Sequence, residues 1–589
     1  MRKYFMLEIN LTDESFKKTD ITDIFEEYIG GTGAATKLMY DENNQANPYD
    51  PESSVYFSIG PFSNIFPVST KTVAMFRSPL TGNMGESHAG GRMALALYGA
   101  GIHVLKITGK SKHPCFVVIE NDTVEFRRAN SLKGMSALAT ERVLRDSIKS
   151  SHKRSILRIG PAGERKSSIA CAVVDGSRHF GRLGLGGVLG SKNLKAVVIS
   201  GNNYLKVPDK IKFNKFYKSL YDKVVKSPLM KKYHDLGTAM NVLPLSEING
   251  LPTRNFSQGY FENAEKIGGE AFAEKHLAQQ TACAHCQVGC IHMGTLREEF
   301  NSEEHMYKMN KVSYDYELIY ACGSNLSIES TDQILKILLY IEKQGWDAMS
   351  MGVVMAWATE AYQRGIIDDS HTDGLVLNFG DSQAYLQLMD NIKNERNEFY
   401  KDLEMGAAFC AEKYGGEDMA IVFGKNEAPG YMTGLYSFLG YATGVRHSHL
   451  DSGGYSIDQK APKNEAISNE LTKKLYDDAV WRMILNSMVI CLFARNVYDT
   501  ETIIEGLKLM DEKEYSEEAL QKTARKIHVI KYRIKQRFGF EITAENIPGK
   551  LTKIQTTNGK VSEKAFKEQL EYYNSLLEKD FAEFPEITV

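Results

Sequence analysis

The sequence predicts an α+β fold: a β-sheet base at the N-terminus followed by two mostly helical domains. Three observations predict it. Short β-branched runs recur between Gly, Pro and Ser clusters up to about residue 205, which is the pattern of strands. Beyond about residue 210 the apolar period becomes helical. A chain of 589 residues also exceeds one ordinary core and suits roughly three domains. The expected domains are residues 1–205, 206–410 and 411–589.

In order, the strand signals are Val55–Ile59, Thr72–Phe76, His103–Thr108, Cys115–Ile119, Ile156–Ile159 and Ala196–Ser200. Ile334, Ile337, Leu338 and Ile341 then share one helical face, with Ser330 and Gln333 placed as a capping box and Gly345 as a stop. Met355–Tyr362 reads as a further helix, ended by Gly365. The charged stretch Glu512–Lys526 reads as a solvated helix face.

Charge is nearly balanced, with 71 Lys and Arg against 74 Asp and Glu, so no basic field is present to collect nucleic acid or an anionic membrane. The most apolar stretch, Ala479–Ala494, is interrupted by Arg482, Asn486 and Ser487, which excludes a membrane helix there. The first ten residues break their apolar run at Glu8 and lack a secretory h-region. A cytoplasmic protein without membrane insertion is expected. Eight cysteines are too sparse for a disulfide scaffold. Cys115 and Cys171 sit in apolar runs and read as small buried hydrophobes, Cys322 and Cys410 carry no signature, and Cys491 reads on composition equally well as a buried residue or a ligand.

Cys283, Cys286 and Cys290 follow a C-x2-C-x3-C spacing, which lets one short loop present three soft thiolates to a metal centre. A fourth ligand must come from elsewhere, and both an iron–sulfur cluster and tetrahedral zinc fit the triplet. Glycine-dense segments at 30–33, 82–92 and 181–195, with Arg92, Arg182, Lys192 and Lys195 nearby, suit close backbone approach to a phosphorylated cofactor. The third is neither a Walker loop, since Lys192 follows Ser191, nor a dinucleotide fingerprint, since Leu189 holds the final glycine position.

Taken together, these motifs resemble the tungsten-containing aldehyde ferredoxin oxidoreductases over nearly the whole chain. The resemblance rests on Gly30–Gly33 with Lys37, Asp41 and Glu42; Ser78–Gly82 with Gly90 and Gly91; Gly160–Glu164; and Gly181-Arg182 leading to Gly190–Lys195. It extends through the cysteine triplet, Tyr314–Glu317, Gly345–Asp347, Leu439–Thr443 and Cys491. It implies a tungsten (or molybdenum) bis-pyranopterin beside a [4Fe–4S] cluster, with Cys491 as the fourth cluster ligand and Mg2+ bridging the pterin phosphates. Pterin contacts would fall to Lys71, His88, Gly90, Arg182, Leu183, Gly184, Asp347, Asn486 and the backbone of Ile490.

The resemblance further implies Glu317 as the proton-handling group and His449 as the active-site histidine, with His447 a rival one register away. The implied reaction oxidises an aldehyde to an acid and passes electrons to ferredoxin or an iron–sulfur partner subunit; homo-oligomerisation is compatible with it. An alternative is a member that reduces an acid or an aryl-CoA thioester with partner electron-transfer subunits. A non-enzymatic iron–sulfur electron carrier and a zinc-stapled structural protein are the readings of another class. Four positions depart from the family pattern: Lys71 for Arg, which loses the bidentate fork; His88 for Asn; Asn486 for Asp; and Asp451 where a basic residue is usual.

Overall fold

The computed structural model describes residues 2–150, 152–204, 207, 209–301, 304, 306–461, 467–511 and 514–589. The expected boundary at 205/206, Glu512 and Lys513 lie outside them. The fold is α+β. Strands β1 (Phe5–Asn10), β2 (Ser15–Asp20), β3 (Val55–Ser58), β4 (Thr72–Arg77), β5 (Met84–Ala89) and β6 (Val104–Thr108) form one six-stranded sheet in the order β2-β1-β6-β3-β4-β5. A second follows from β7 (Cys115–Glu120), β8 (Thr123–Arg128), β9 (Arg154–Ile159), β10 (Ala172–Val174), β11 (Arg178–Phe180) and β12 (Leu194–Ser200), in the order β11-β10-β9-β12-β7-β8. Each strand signal in the sequence is a strand.

Alternation along these strands explains how the sheets pack. Leu7, Ile9, Phe57 and Phe76 of the first sheet meet Val117, Ile119, Leu157, Val197 and Ile199 of the second in one buried cluster. Each such side chain contributes about 1.5–3 kcal/mol relative to exposure. The opposite residues of β7, β9 and β12, including Phe116, Val118, Ile156 and Val198, pack with Leu132, Leu144 and Ile148. Tyr56, Met75 and Val104 point the other way, into the large core shared with the helical part.

The helices Tyr316–Cys322, Thr331–Gln344 and Ala407–Tyr414 pack against Ala348–Gln363, which is buried from Ala348 to Ala361. Gly352 lets it approach Ala321, because a Cβ there would stand 2.5 Å from the Ala321 carbonyl oxygen. Helix Thr331–Gln344 ends at Gly345, in the left-handed region at φ +76°. The capping box expected at its start is not formed, since the Ser330 side chain accepts no capping bond. Instead His276 Nε2 meets Thr331 Oγ1 at 2.9 Å and ties that end to its neighbour.

A three-stranded antiparallel sheet interrupts the region read as helical: β13 (Leu277–Thr281), β14 (Ile291–Asn301) and β15 (Met306–Tyr314). Charged residues such as Arg297, Glu298, Lys308 and Lys311 hide its alternation, and cross-strand pairing in the folded chain sustains it. No helix among the described residues is long and apolar enough to cross a membrane.

Candidate active site and metal centre

Pairing of Thr281 with Ile291 closes the loop that carries Cys283, Cys286 and Cys290. His285 (φ +56°) and Gly289 (φ +65°) turn that loop back on itself, and the Val288 N–H donates to Cys286 Sγ at 3.4 Å. Backbone bonds then bring Cys491 to it: Val68 N donates to the His285 carbonyl at 3.1 Å, and Cys491 N to the Val68 carbonyl at 3.0 Å. Ser69 bridges Ile490, and Lys71 N donates to the Val489 carbonyl at 3.3 Å. Chain segments some two hundred residues apart are thereby held together.

Lys71 lies half-buried beside these sulfurs. Burial opposes its charge, but Cys491, Cys283 and Cys290 more than offset that and hold the ammonium above its ordinary range. Burial, with Cys491 adding to it, pushes Cys286 and Cys290 up to about 12, so metal binding must displace their protons. A Cβ on Gly90 would stand 2.5 Å from Cys283 Sγ, which is why glycine lines this wall. Among the described residues, no three His, Cys, Asp or Glu side chains can hold one metal ion. Cys283, Cys286, Cys290 and Cys491 influence one another electrostatically, and four soft thiolates are a donor set that fits a thiolate-bound metal centre.

The second centre sets a carboxyl against an imidazole. Glu317 sits in the first turn of the helix Tyr316–Cys322, which Asp315 caps through Leu318 N at 3.2 Å. Glu317 Oε2 accepts from Gly430 N at 3.0 Å, while Oε1 stands 3.2 Å from His449 Nδ1. That approach lacks hydrogen-bond alignment, so both atoms are buried without a partner. Burial raises the Glu317 carboxyl to about 8, and burial with Arg182, Arg482 and Arg446 lowers His449 to about 3. At neutral pH the pair is a protonated acid facing a neutral imidazole. The Tyr431 ring lies 5.1 Å from the His449 ring and 4.9 Å from the Tyr316 ring. Tyr320 and Tyr441 donate to the carbonyls of Ala428 and Tyr431 at 2.6 and 2.9 Å, fixing the loop that carries Gly430.

Arg182 reaches toward this centre. Its Nε donates to Asp347 Oδ2 at 3.2 Å and Nη2 to the Glu427 carbonyl at 2.6 Å, leaving Nη1 buried and unpartnered. Asp347 caps the helix Ala348–Gln363 through Met349 N at 3.1 Å. Ser350 Oγ lies 2.6 Å from both Asp347 Oδ2 and Glu427 Oε2. Beside Arg182, Leu183 (φ +71°) and Gly184 (φ +83°) both turn left-handed. A Cβ on Gly184 would stand 2.4 Å from the Ser168 carbonyl oxygen. Asn486 Nδ2 is likewise buried without a partner, and the Asn486 carbonyl packs against Gly31. Unpaired buried donors at Arg182 and Asn486 fit a polar ligand that completes them.

His88 joins a different set. Its Nε2 meets Glu86 Oε1 at 2.7 Å, and Glu86 also accepts from Thr32 Oγ1 at 2.9 Å and pairs with the fully buried Lys531. Burial lowers His88 to about 4. Burial works against charge on Glu86, but Lys531 and His88 more than offset it and hold the carboxyl well below its ordinary range. Asp451, one of the four departures, pairs with Arg446 Nε at 2.6 Å and accepts from Arg446 N at 2.9 Å. His447 is satisfied at both nitrogens, by the Tyr441 carbonyl at 2.9 Å and Lys535 Nζ at 2.8 Å. The rival histidine therefore faces away from Glu317.

Sequence reasoning missed Glu427, which locks Arg182, Ser350 and the Ala407 N–H together, and Glu86, the buried counter-ion of Lys531. Glu427 lies in the turn Asn426-Glu427-Ala428-Pro429-Gly430, where an acid among apolar and turn residues was the available signal.

The relatives of this chain define it as an oxidoreductase. The chain belongs to the aldehyde ferredoxin oxidoreductase family: residues 6–201 match the model "Aldehyde ferredoxin oxidoreductase, N-terminal domain" and residues 215–578 match "domains 2 & 3". The tungsten-containing aldehyde ferredoxin oxidoreductase of Pyrococcus abyssi is 32% identical over 466 residues, 77% of this chain and 74% of that one. The aliphatic sulfonate oxidoreductase, WOR-like subunit, of Pyrococcus furiosus is 28% identical over 510 residues, covering 81% and 78%. Among solved structures, the BamBC active-site complex of benzoyl coenzyme A reductase with 1,5-dienoyl-CoA shares the fold, with a TM-score of 0.82 at 21% identity over 100% of this chain and 97% of that one. Membership implies a tungsten pterin cofactor.

Proposed function

We propose that this chain is a tungsten bis-pyranopterin enzyme that oxidises an aldehyde to a carboxylic acid in the cytoplasm, releasing electrons through a [4Fe–4S] cluster to ferredoxin. Cys283, Cys286, Cys290 and Cys491 would hold the cluster. Lys71, His88, Gly90, Arg182, Leu183, Gly184, Asp347, Asn486 and Ile490 would hold the pterins, with Mg2+ between the phosphates. Three domains, 1–205, 206–410 and 411–589, would supply these residues.

The observation that carries the reading is the Glu317–His449 pair, whose facing atoms are buried, without a hydrogen bond and 3.2 Å apart. When bound, the metal and its pterins would polarise the carbonyl and accept the electron pair. Adding water to an aldehyde and removing two electrons leaves an acid and two protons. Glu317 Oε1 takes one of them in the fraction of molecules whose carboxyl is ionised, a fraction that grows as pH approaches 8. Gly430 N–H holds the other oxygen, so Oε1 is the free acceptor. Neutral His449 offers a hydrogen bond to the substrate oxygen, and the Tyr316 and Tyr431 rings exclude water.

Metal analysis beside a dye-coupled assay tests this. Tungsten with about four irons per chain and aldehyde-dependent reduction of a viologen are expected; zinc without iron, or no oxidation of any aldehyde by metal-loaded protein, overturns it. A second reading, reduction of an acid or aryl-CoA thioester with partner subunits, draws on the full-length fold likeness to the benzoyl-CoA reductase complex. Consumption of an aryl-CoA thioester with reduced viologen, without aldehyde oxidation, would put it first.

A further inference from the structure

The His449 ring is aimed without a hydrogen bond from Glu317. Its Nδ1 stands 3.2 Å from Glu317 Oε1 with no bond to it, and its ring neighbours are Tyr431 and Tyr455, at 5.1 and 6.5 Å between centroids. The backbone that carries it must therefore set where the imidazole points. That backbone is a short loop between the helices Leu435–Thr443 and Gly454–Lys460, and three buried charged side chains hold it.

Asp451 holds it from within. Its Oδ2 accepts from Arg446 N and Ser448 N at 2.9 and 3.1 Å, and its Oδ1 accepts from Arg446 Nε at 2.6 Å. Arg446 Nη2 turns back to the Leu450 carbonyl at 3.0 Å, so the side chains at both ends of the loop brace its backbone. Arg482, on the helix Asn469–Ser487, donates from Nη1 to the carbonyls of His449 and Leu450 at 3.3 and 2.8 Å. Gly444 leaves room for this: a Cβ there would stand 2.5 Å from Asp451 Oδ2. The residues on either side of His449 are thus fixed through Asp451, and its own carbonyl through Arg482.

We propose that Asp451 is a positioning residue for His449: by accepting the Arg446 and Ser448 amides it fixes the loop that turns the imidazole toward Glu317. The proposal rests on the reading of His449 as the group that meets the substrate oxygen. A carboxylate can do this and a basic side chain, usual at this position in the family pattern, cannot, because an ammonium or guanidinium has no acceptor for either amide. The arrangement is therefore a property of this chain's own loop, in which a local side-chain-to-backbone cap sets the direction of a neighbouring side chain.

The test uses the metal-loaded full chain. Asp451→Ala should lower aldehyde-dependent viologen turnover per bound tungsten about tenfold or more, since a displacement of about 1 Å at a reacting group is costly. In a His449→Ala background the same change should cost less than about twofold, because the two residues act as one unit. Asp451→Asn keeps an acceptor for the two amides and loses the ion pair, so it should recover most of the lost turnover while unfolding at lower denaturant. Amide exchange read by mass spectrometry reports the loop directly: the segment 446–451 should exchange faster in Asp451→Ala and near the wild-type rate in Asp451→Asn. Should Asp451→Ala fail to bind tungsten, Asp451→Ala/Arg446→Met removes the stranded charge as well and is read in the same way. Wild-type turnover on losing Asp451, an equal loss in the His449→Ala background, or unchanged exchange of the loop overturns the positioning role alone. Full turnover in His449→Ala, or none in wild type, overturns the reading of the site, and the positioning role with it.

Discussion

His447 and His449 stand two residues apart on one loop, and the contrast between their surroundings separates a layer that holds the fold from a pair poised for chemistry. His447 belongs to a layer of buried charges, Glu86–Lys531 and Arg446–Asp451 with Lys535, in which charged groups meet partners. His449 faces Glu317 at 3.2 Å, and neither facing atom has a hydrogen bond. His447 is the more buried of the two, but what separates them is saturation. A buried polar group left open costs stability, so it persists where a ligand or a reaction completes it.

Breaking the open pair should have the largest effect. Glu317→Gln keeps the shape and removes the proton acceptor, so turnover should fall by about 10²–10⁴ with tungsten and iron contents unchanged; full turnover would move Glu317 to the structural side of the comparison. Breaking the saturated layer should act on stability instead. Lys531→Met strands the Glu86 carboxylate and should cost about 3–5 kcal/mol in denaturant unfolding, and adding Glu86→Gln should recover much of it. A single variant as stable as wild type would remove the pair from the framework.

The smallest effect is in pH. Burial raises Glu317 from its ordinary 4.5 to about 8, so the folded chain keeps a proton that the unfolded chain has lost between those values. Its contribution to stability is full below 4.5 and declines as pH rises through that window to about 8. The ionised base grows in the same direction, so kcat/KM should climb about tenfold per unit below pH 8 and then level. The limb should vanish in the residual activity of Glu317→Gln, whereas a limb that survives there belongs to another group. His449, lowered to about 3, stays neutral across this range and adds no limb of its own.

Much of this was legible in order along the chain. The strand runs, the cysteine triplet and the stop at Gly345 are local patterns, set by alternation, ligand spacing and a left-handed turn. The β14–β15 ribbon was not, because its charged faces mask alternation and its stability comes from pairing. Nor was Asp451 legible: an acid at a usually basic position looks like a changed cofactor contact until Arg446 is found 2.6 Å away.

By itself, then, the sequence determined the α+β order, the triplet of thiolates and the residue types available for chemistry, since these follow from neighbours within one turn, strand or loop. Only the tertiary structure decided which histidine meets Glu317, that Cys491 closes on the triplet through Val68, and that Lys71 lies among the sulfurs. Those outcomes depend on burial and on contacts between segments hundreds of residues apart, and no local pattern encodes the dielectric or the partner a side chain will meet once the core has closed.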